Sequence, residues 1–168
     1  MRPEIIIRNY QATDAREITD LFHDSIHSIA KSQYSANQLE AWCPTPPDYA
    51  HWQNRLDIVK PFVAVSEAQN GTIAGFIELV QPDEIDCLYV HPLFARQGVA
   101  KQLYIHLEQR ARQLQMKQLQ VEASLLARPL FEQVGFSEIR RNEIPRNGEV
   151  LVNFSMVKPL TEHNEISA

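Results

Sequence analysis

At 168 residues the chain is long enough for one domain with a real hydrophobic core. Apolar residues at 44% and charged residues at 22% are ordinary for a soluble globular protein, while a net charge of −5 with no basic run argues against a nucleic-acid binder. Ile5-Ile6-Ile7-Arg8 is far too short for a signal-peptide core or a membrane span, so a cytoplasmic chain without membrane contact is expected.

A first strand is expected from Glu4 to Tyr10, followed by a helix with Thr13 as N-cap and Glu17 in its first turn. The apolar face of that helix is Ile18, Leu21, Phe22, Ile26 and Ile29. His23 and His27 lie one turn apart and could share a metal, but no third ligand is suggested, and none is expected. Ser35 and Gln38 have the form of a capping box, opening a short helix to Trp42 that Pro44, Pro46 and Pro47 break. Asp48 caps another short helix through Trp52 and Leu56. Tyr34, Trp42, Tyr49 and Trp52 are thereby gathered, either as a satellite core or as the wall of an acceptor pocket. The two cysteines, Cys43 and Cys87, are expected buried rather than bonded.

Pro61 to Ser66 alternates as a strand, Asn70-Gly71 is a hairpin turn, and Thr72 to Val80 answers as the partner strand. Gly75 within it marks a bulge or a close backbone approach. Glu84 to Val90 is the next strand, stopped by His91-Pro92. A helix then begins near Gly98, its apolar residues Leu103, Tyr104, Leu107, Ala111 and Leu114 recurring at three and four, and ends near Met116. Gln118 to Ala123 is a strand parallel to the one before that helix. A short helix through Pro129, Phe131 and Val134 ends at Gly135. Phe136–Glu143 and Glu149–Val157 form a last hairpin around Arg146-Asn147-Gly148, and the polar tail after Pro159 is expected to fray.

The junction Ala95-Arg96-Gln97-Gly98-Val99-Ala100-Lys101 has the makings of an anion site. The first turn of a helix leaves N–H groups without partners and carries partial positive charge, and glycine lets a phosphate approach the backbone. On spacing alone, a plain crossover whose glycine eases the turn stands level with that reading.

The element order, together with Arg96-Gln-Gly-Val-Ala100 and Phe131-Glu-Gln-Val-Gly-Phe136, resembles the GNAT superfamily of acyl-CoA-dependent N-acetyltransferases. The resemblance runs from Ile5 to Val157, and the segments at Tyr34–Trp42 and Ala127–Phe131 look like those of an uncharacterised bacterial branch. It implies an α/β (α+β) fold: a mixed, mostly antiparallel central sheet of about six to seven strands with a parallel pair made by the fourth and fifth, flanked by helices. It also implies a single domain over residues 1–160 with a polar tail at 161–168.

By resemblance the co-substrate is acetyl-CoA, its pyrophosphate held by Arg96, Gln97, Gly98, Val99, Ala100 and Lys101 and its pantetheine paired with Leu88, Tyr89 and Val90. Ser124 or Leu126 stands where many members carry an asparagine, and Ala95 replaces the family's Gln or Arg. Phe131 occupies the place of a tyrosine that protonates the departing thiolate in many relatives. A thiol of reference pKa around 8.5 leaves without much acid help, and Tyr89, Tyr104 or water could donate.

An alkyl amine of pKa near about 10.4 must lose a proton before it attacks, which calls for a base. Glu84 and Asp86, two apart on one strand, are near-equal candidates, with Glu78 third. Tyr34, Trp42 and Glu78 are the candidate acceptor contacts, and a backbone N–H near Tyr89 or Val90 is a candidate oxyanion donor. The expected reaction is acetyl transfer to a primary amine of a small molecule or peptide, with homodimerisation open; the alternative is a catalytically silent acyl-CoA-binding module.

Overall fold

A computed structural model describes residues 4–160, so the expected tail at 161–168 lies outside the described residues. The strands are β1 (Ile5–Asn9), β2 (Phe62–Ser66), β3 (Thr72–Val80), β4 (Glu84–Val90), β5 (Gln118–Ser124), β6 (Ser137–Arg146) and β7 (Glu149–Pro159). They form one seven-stranded sheet in the order β1-β2-β3-β4-β5-β7-β6, antiparallel except for β4 and β5. The helices are α1 (Ala15–Ile29), α2 (Ala36–Trp42), α3 (Tyr49–Val59), α4 (Val99–Gln113) and α5 (Arg128–Gln133). The mixed, mostly antiparallel expectation holds, with seven strands.

Strand alternation divides the core between the two faces of the sheet. Ala64, Ala74 and Ile77 join Leu103, Tyr104 and Leu107 of α4 and Phe131 of α5 on one face. Val63, Val65, Ile73 and Phe76 join Ile18, Leu21 and Phe22 of α1 and Leu56 of α3 on the other. Two bulges deform the sheet near its centre. Ala74 is the extra residue of β3 against β2, since Ala64 faces Gly75 while Val65 faces Ile73. Gly75 is there for a close approach: a Cβ on it would lie 2.8 Å from the Tyr89 carbonyl oxygen. The second bulge sets Asp86 and Cys87 opposite the single residue Glu78.

Local chemistry explains most element ends. Gln38 N–H donates to Ser35 Oγ at 3.1 Å and Ser35 N–H to Gln38 Oε1 at 2.9 Å, the expected capping box. Asp48 Oδ1 accepts from His51 N–H at 3.0 Å, as its position promises. Asn147 and Gly148, both at positive φ, close the last hairpin. Thr13, by contrast, does not cap α1. It sits inside a 3-10 turn, Ala12–Asp14, and α1 begins behind Asp14, whose carboxylate accepts from Gln11 N–H and from Arg8. Asn70-Gly71 follows a further 3-10 turn, Glu67–Gln69, so the connection is longer than a two-residue hairpin. α4 stops at Gln113 rather than Met116. Gln115 takes φ 59° and Met116 N–H reaches Ala111 O, a left-handed ending built without the glycine that would have announced it. β6 and β7 run longer than expected, and Leu160 is buried with its N–H on Lys117 O, so the chain stays anchored one residue past Pro159.

Beneath α4 lies a buried polar knot. Glu108 accepts from Lys158 Nζ at 2.6 Å and from the Tyr104 hydroxyl at 2.7 Å, and Lys158 also donates to Val134 O. Removing one partner leaves a buried charge uncompensated, so Glu108→Gln is expected to lower the unfolding free energy by about 3 kcal/mol. Urea unfolding should show the midpoint falling at an unchanged slope.

Candidate active site

The site grows from the parting of β4 and β5. Only Glu84 with Gln120 and Ile85 with Val121 are paired; beyond them the strands separate while β4 stays on β3 and β5 on β7. The bulge at Asp86-Cys87 sits at the start of this parting. His91 N–H bonds to Ala74 O on β3, so by alternation Tyr89 also faces β3 while the N–H and C=O groups of Leu88 and Val90 face the opening. An unpaired strand edge is thus held open inside the molecule.

On one side of the parting runs a cleft of about 530 Å³, lined by Leu88, Tyr89, Val90, Ala95, Arg96, Gly98, Val99, Ala100, Lys101, Ser124 and Leu126. Its polar end is the start of α4. Among the described residues the N–H groups of Arg96 through Lys101 have no hydrogen-bond acceptor, and Gly98, the N-cap, supplies no side chain. Arg96 at φ 61° and Gly98 at φ 82° curl this backbone, and a Cβ on Gly98 would meet nothing within 4 Å. These features fit a polyanion: unpaired amides, the positive helix end, open space and the flanking Arg96 and Lys101.

Most of the expected cofactor residues therefore line one cleft. Two lie differently. Gln97 donates its side-chain N–H to Leu93 O at 3.1 Å and braces the loop. Phe131, 1% exposed and edge-on to Tyr104 and Phe136, lies at the neighbouring cavity instead. The Ser124 hydroxyl accepts from Ala127 N–H at 3.1 Å, shaping the turn after β5.

The second cavity, about 300 Å³, meets the first at Trp42, Leu88, Tyr89, Ser124 and Ala127. Its walls are Phe22, Tyr34, Trp42, Trp52 and Tyr89, and its charged residues are Arg55, Glu84, Asp86, Glu122 and Arg146. Phe22 stacks tilted on Trp52 at 4.3 Å and edge-on to Tyr89 at 4.8 Å, so the wall is rigid. Tyr34 also serves the frame: its hydroxyl donates to Val152 O and accepts from Leu125 N–H, tying β7 to the turn after β5.

The three carboxylates named from the sequence have unlike surroundings. Glu78, expected as an acceptor contact, is instead fully buried on the Arg55 guanidinium at 2.6 Å and does not line the cavity. Asp86 bonds to the same guanidinium. Arg55 in turn is held charged by this pairing despite its burial. Glu84 has no such cation. Burial, then Asp86, Glu122 and Asp83 nearby, hold its carboxyl above the usual range. Nothing in the sequence flagged Arg55, because its partners are 23 and 31 residues away.

Of the tyrosines, Tyr104 is unexposed with its hydroxyl on Glu108, which removes it as a proton donor at the site. Tyr89 stands where the two cavities join, and burial, with Cys87 beside it, keeps its phenol protonated well above the usual range. The fold also brings Cys43 within 4.8 Å of His23 and His27, a third metal-type ligand the sequence did not suggest. His27 Nε2 already bonds to Cys43 O and His23 Nε2 to Thr45 Oγ1, so the pair fastens the proline-rich turn. Cys43 and Cys87 are free and buried, as expected. Among the described residues no helix is long and apolar enough to cross a membrane.

Comparison with known proteins adds a family. Residues 30–158 match the acetyltransferase (GNAT) domain model. The chain is 32% identical over 152 residues to the uncharacterised N-acetyltransferase YafP of Escherichia coli K12, covering 90% of this chain and 94% of that protein. A crystal structure of a GCN5-related N-acetyltransferase from Rhodopseudomonas palustris superposes with a TM-score of 0.87 at 33% identity, covering 95% of this chain and 98% of that one. The PaiA N-acetyltransferase of Thermoplasma acidophilum, solved with coenzyme A, shares the fold at a TM-score of 0.72 and 18% identity, over 94% and 99% of the two chains.

Proposed function

The chain belongs to the GNAT family of acetyltransferases, with acetyl-CoA as co-substrate, and from that premise we propose that it acetylates a primary amine by direct attack, with Glu84 as the base. The observation that carries the assignment of the base is the contrast between Glu84 and its neighbours. Asp86 lines the same cavity but is bound to Arg55, as is buried Glu78, whereas Glu84 has no cation among the described residues and a carboxyl that holds its proton more tightly than usual. A base of raised pKa is better matched to drawing a proton from an ammonium at neutral pH.

Acetyl-CoA supplies an activated thioester. The amides of 96–101 would hold its pyrophosphate, and the free edge of Leu88 and Val90 would pair with its pantetheine. One of those two N–H groups is then placed to stabilise the oxyanion as the amine adds to the carbonyl. The aromatic walls exclude water around the amine, Glu84 removes its proton directly or through one water, and the C–S bond breaks. Tyr89 or water protonates the leaving thiolate, the task that Phe131, lacking a hydroxyl, cannot perform.

Free-thiol release from acetyl-CoA across a panel of amines tests the reading. Turnover should appear with one or more primary amines and be absent with tertiary ones. Tight coenzyme A binding with no turnover on any amine would instead favour a silent acyl-CoA-binding module.

A further inference from the structure

Two guanidinium groups line the acceptor cavity, and they are not alike. Arg55 is clasped by Glu78 and Asp86. Arg146 is exposed near the end of β6, two residues beyond Ile144, which lines the same cavity. Among the described residues it pairs with no carboxylate. The next residue, Asn147, donates its side-chain N–H to Ala41 O of α2 at 2.8 Å, which fixes this end of the hairpin on the α2 side of the cavity. Glu84 and Glu122, from β4 and β5, supply negative charge at the strand parting, with the rings of Tyr34 and Trp42 also in the wall.

The cavity is therefore acidic where the strands part, apolar along its walls and basic at the hairpin. At about 300 Å³ it stands at the small end of ligand pockets. Resting on the acetyltransferase reading above, we propose that Arg146 docks a carboxylate of the acceptor, so that the favoured substrates are small amino acids with an apolar or aromatic body rather than plain amines. An arginine fork matches a carboxylate with two parallel hydrogen bonds, and Glu84 lines the same cavity to receive the amine.

Matched pairs test this: phenylalanine against phenethylamine, and leucine against isoamylamine, followed by thiol release. The acid of each pair should have the higher kcat/KM by about tenfold, the worth of one charged hydrogen bond, with the difference in KM. Arg146→Gln should erase the ratio, and Arg146→Lys should keep part of it. Arg146 is exposed, so the melting temperature should not move. Calorimetry with coenzyme A present gives a second arm: N-acetylphenylalanine should bind the native protein and lose about tenfold in Arg146→Gln, again one charged hydrogen bond. Amines acetylated with no preference for the acid, or a preference that survives Arg146→Gln, would overturn the docking and leave the acetyltransferase reading standing. Arg146-dependent binding of N-acetylphenylalanine without turnover of any amine would do the reverse. Loss of both would overturn the inference.

Discussion

Gly98→Glu is expected to weaken coenzyme A binding by at least about a hundredfold while leaving the fold intact. Gly98 holds φ 82°, where a side chain costs about 1–2 kcal/mol. The larger effect is electrostatic. A carboxylate would sit among the unpaired amides of 96–101, on the helix end whose partial positive charge serves the pyrophosphate. Because Gly98 is exposed and a Cβ there meets nothing within 4 Å, that backbone strain is all the fold itself loses. Gly98→Ala supplies the control: its backbone strain is present with and without coenzyme A, so it should lower stability while changing affinity far less than Gly98→Glu does. Calorimetric titration with coenzyme A reads both; equal affinity in Gly98→Glu and the native chain would sink the assignment of the loop.

Glu84→Gln should lower kcat by about a hundredfold or more, the usual contribution of a general base, with the KM for acetyl-CoA nearly unchanged. Asp86→Asn should cost much less, since Asp86 is already bonded to Arg55. The two effects of pH follow from one cause. Burial beside Asp86, Glu122 and Asp83 holds the Glu84 carboxyl above its unfolded value, so kcat rises with pH on a limb displaced upward from the usual carboxylate range. The same displacement means that the native state loses stability as pH rises from the unfolded carboxylate value through the raised one. Glu84→Gln removes that loss, so the variant should melt higher than the native protein at neutral pH while turning over far more slowly. A variant both slower and less stable would mark Glu84 as structural.

Much of this was legible in the sequence because the signals are local. Ser35 with Gln38, Asp48 with His51, and Asn147-Gly148 announce their turns through side chains and backbone freedom within four residues. The loop at Gly98 was legible for the same reason, since a strand, a glycine and a helix start stand within one short segment. What escaped is what depends on distance along the chain. Arg55 pairs with both Glu78 and Asp86, and it belongs to a helix that the sequence marked only for its aromatic residues. Cys43 comes beside His23 and His27 because α2 folds back over α1, which no spacing predicts. The left-handed ends at Gln115 and Arg96 escaped because their residue types do not advertise positive φ. Phe131 shows the opposite failing: the motif names it for the cofactor, yet packing sets it at the neighbouring cavity.

On the proposed reading, the free amides at the start of α4 and on the β4 edge that parts from β5 together hold one extended ligand. Amide chemical shifts followed by nitrogen-edited NMR during titration with coenzyme A test it most directly. The largest changes should fall on residues 96–101 and on Leu88 and Val90. Coenzyme A binding that leaves those amides unmoved and shifts another part of the protein would contradict it.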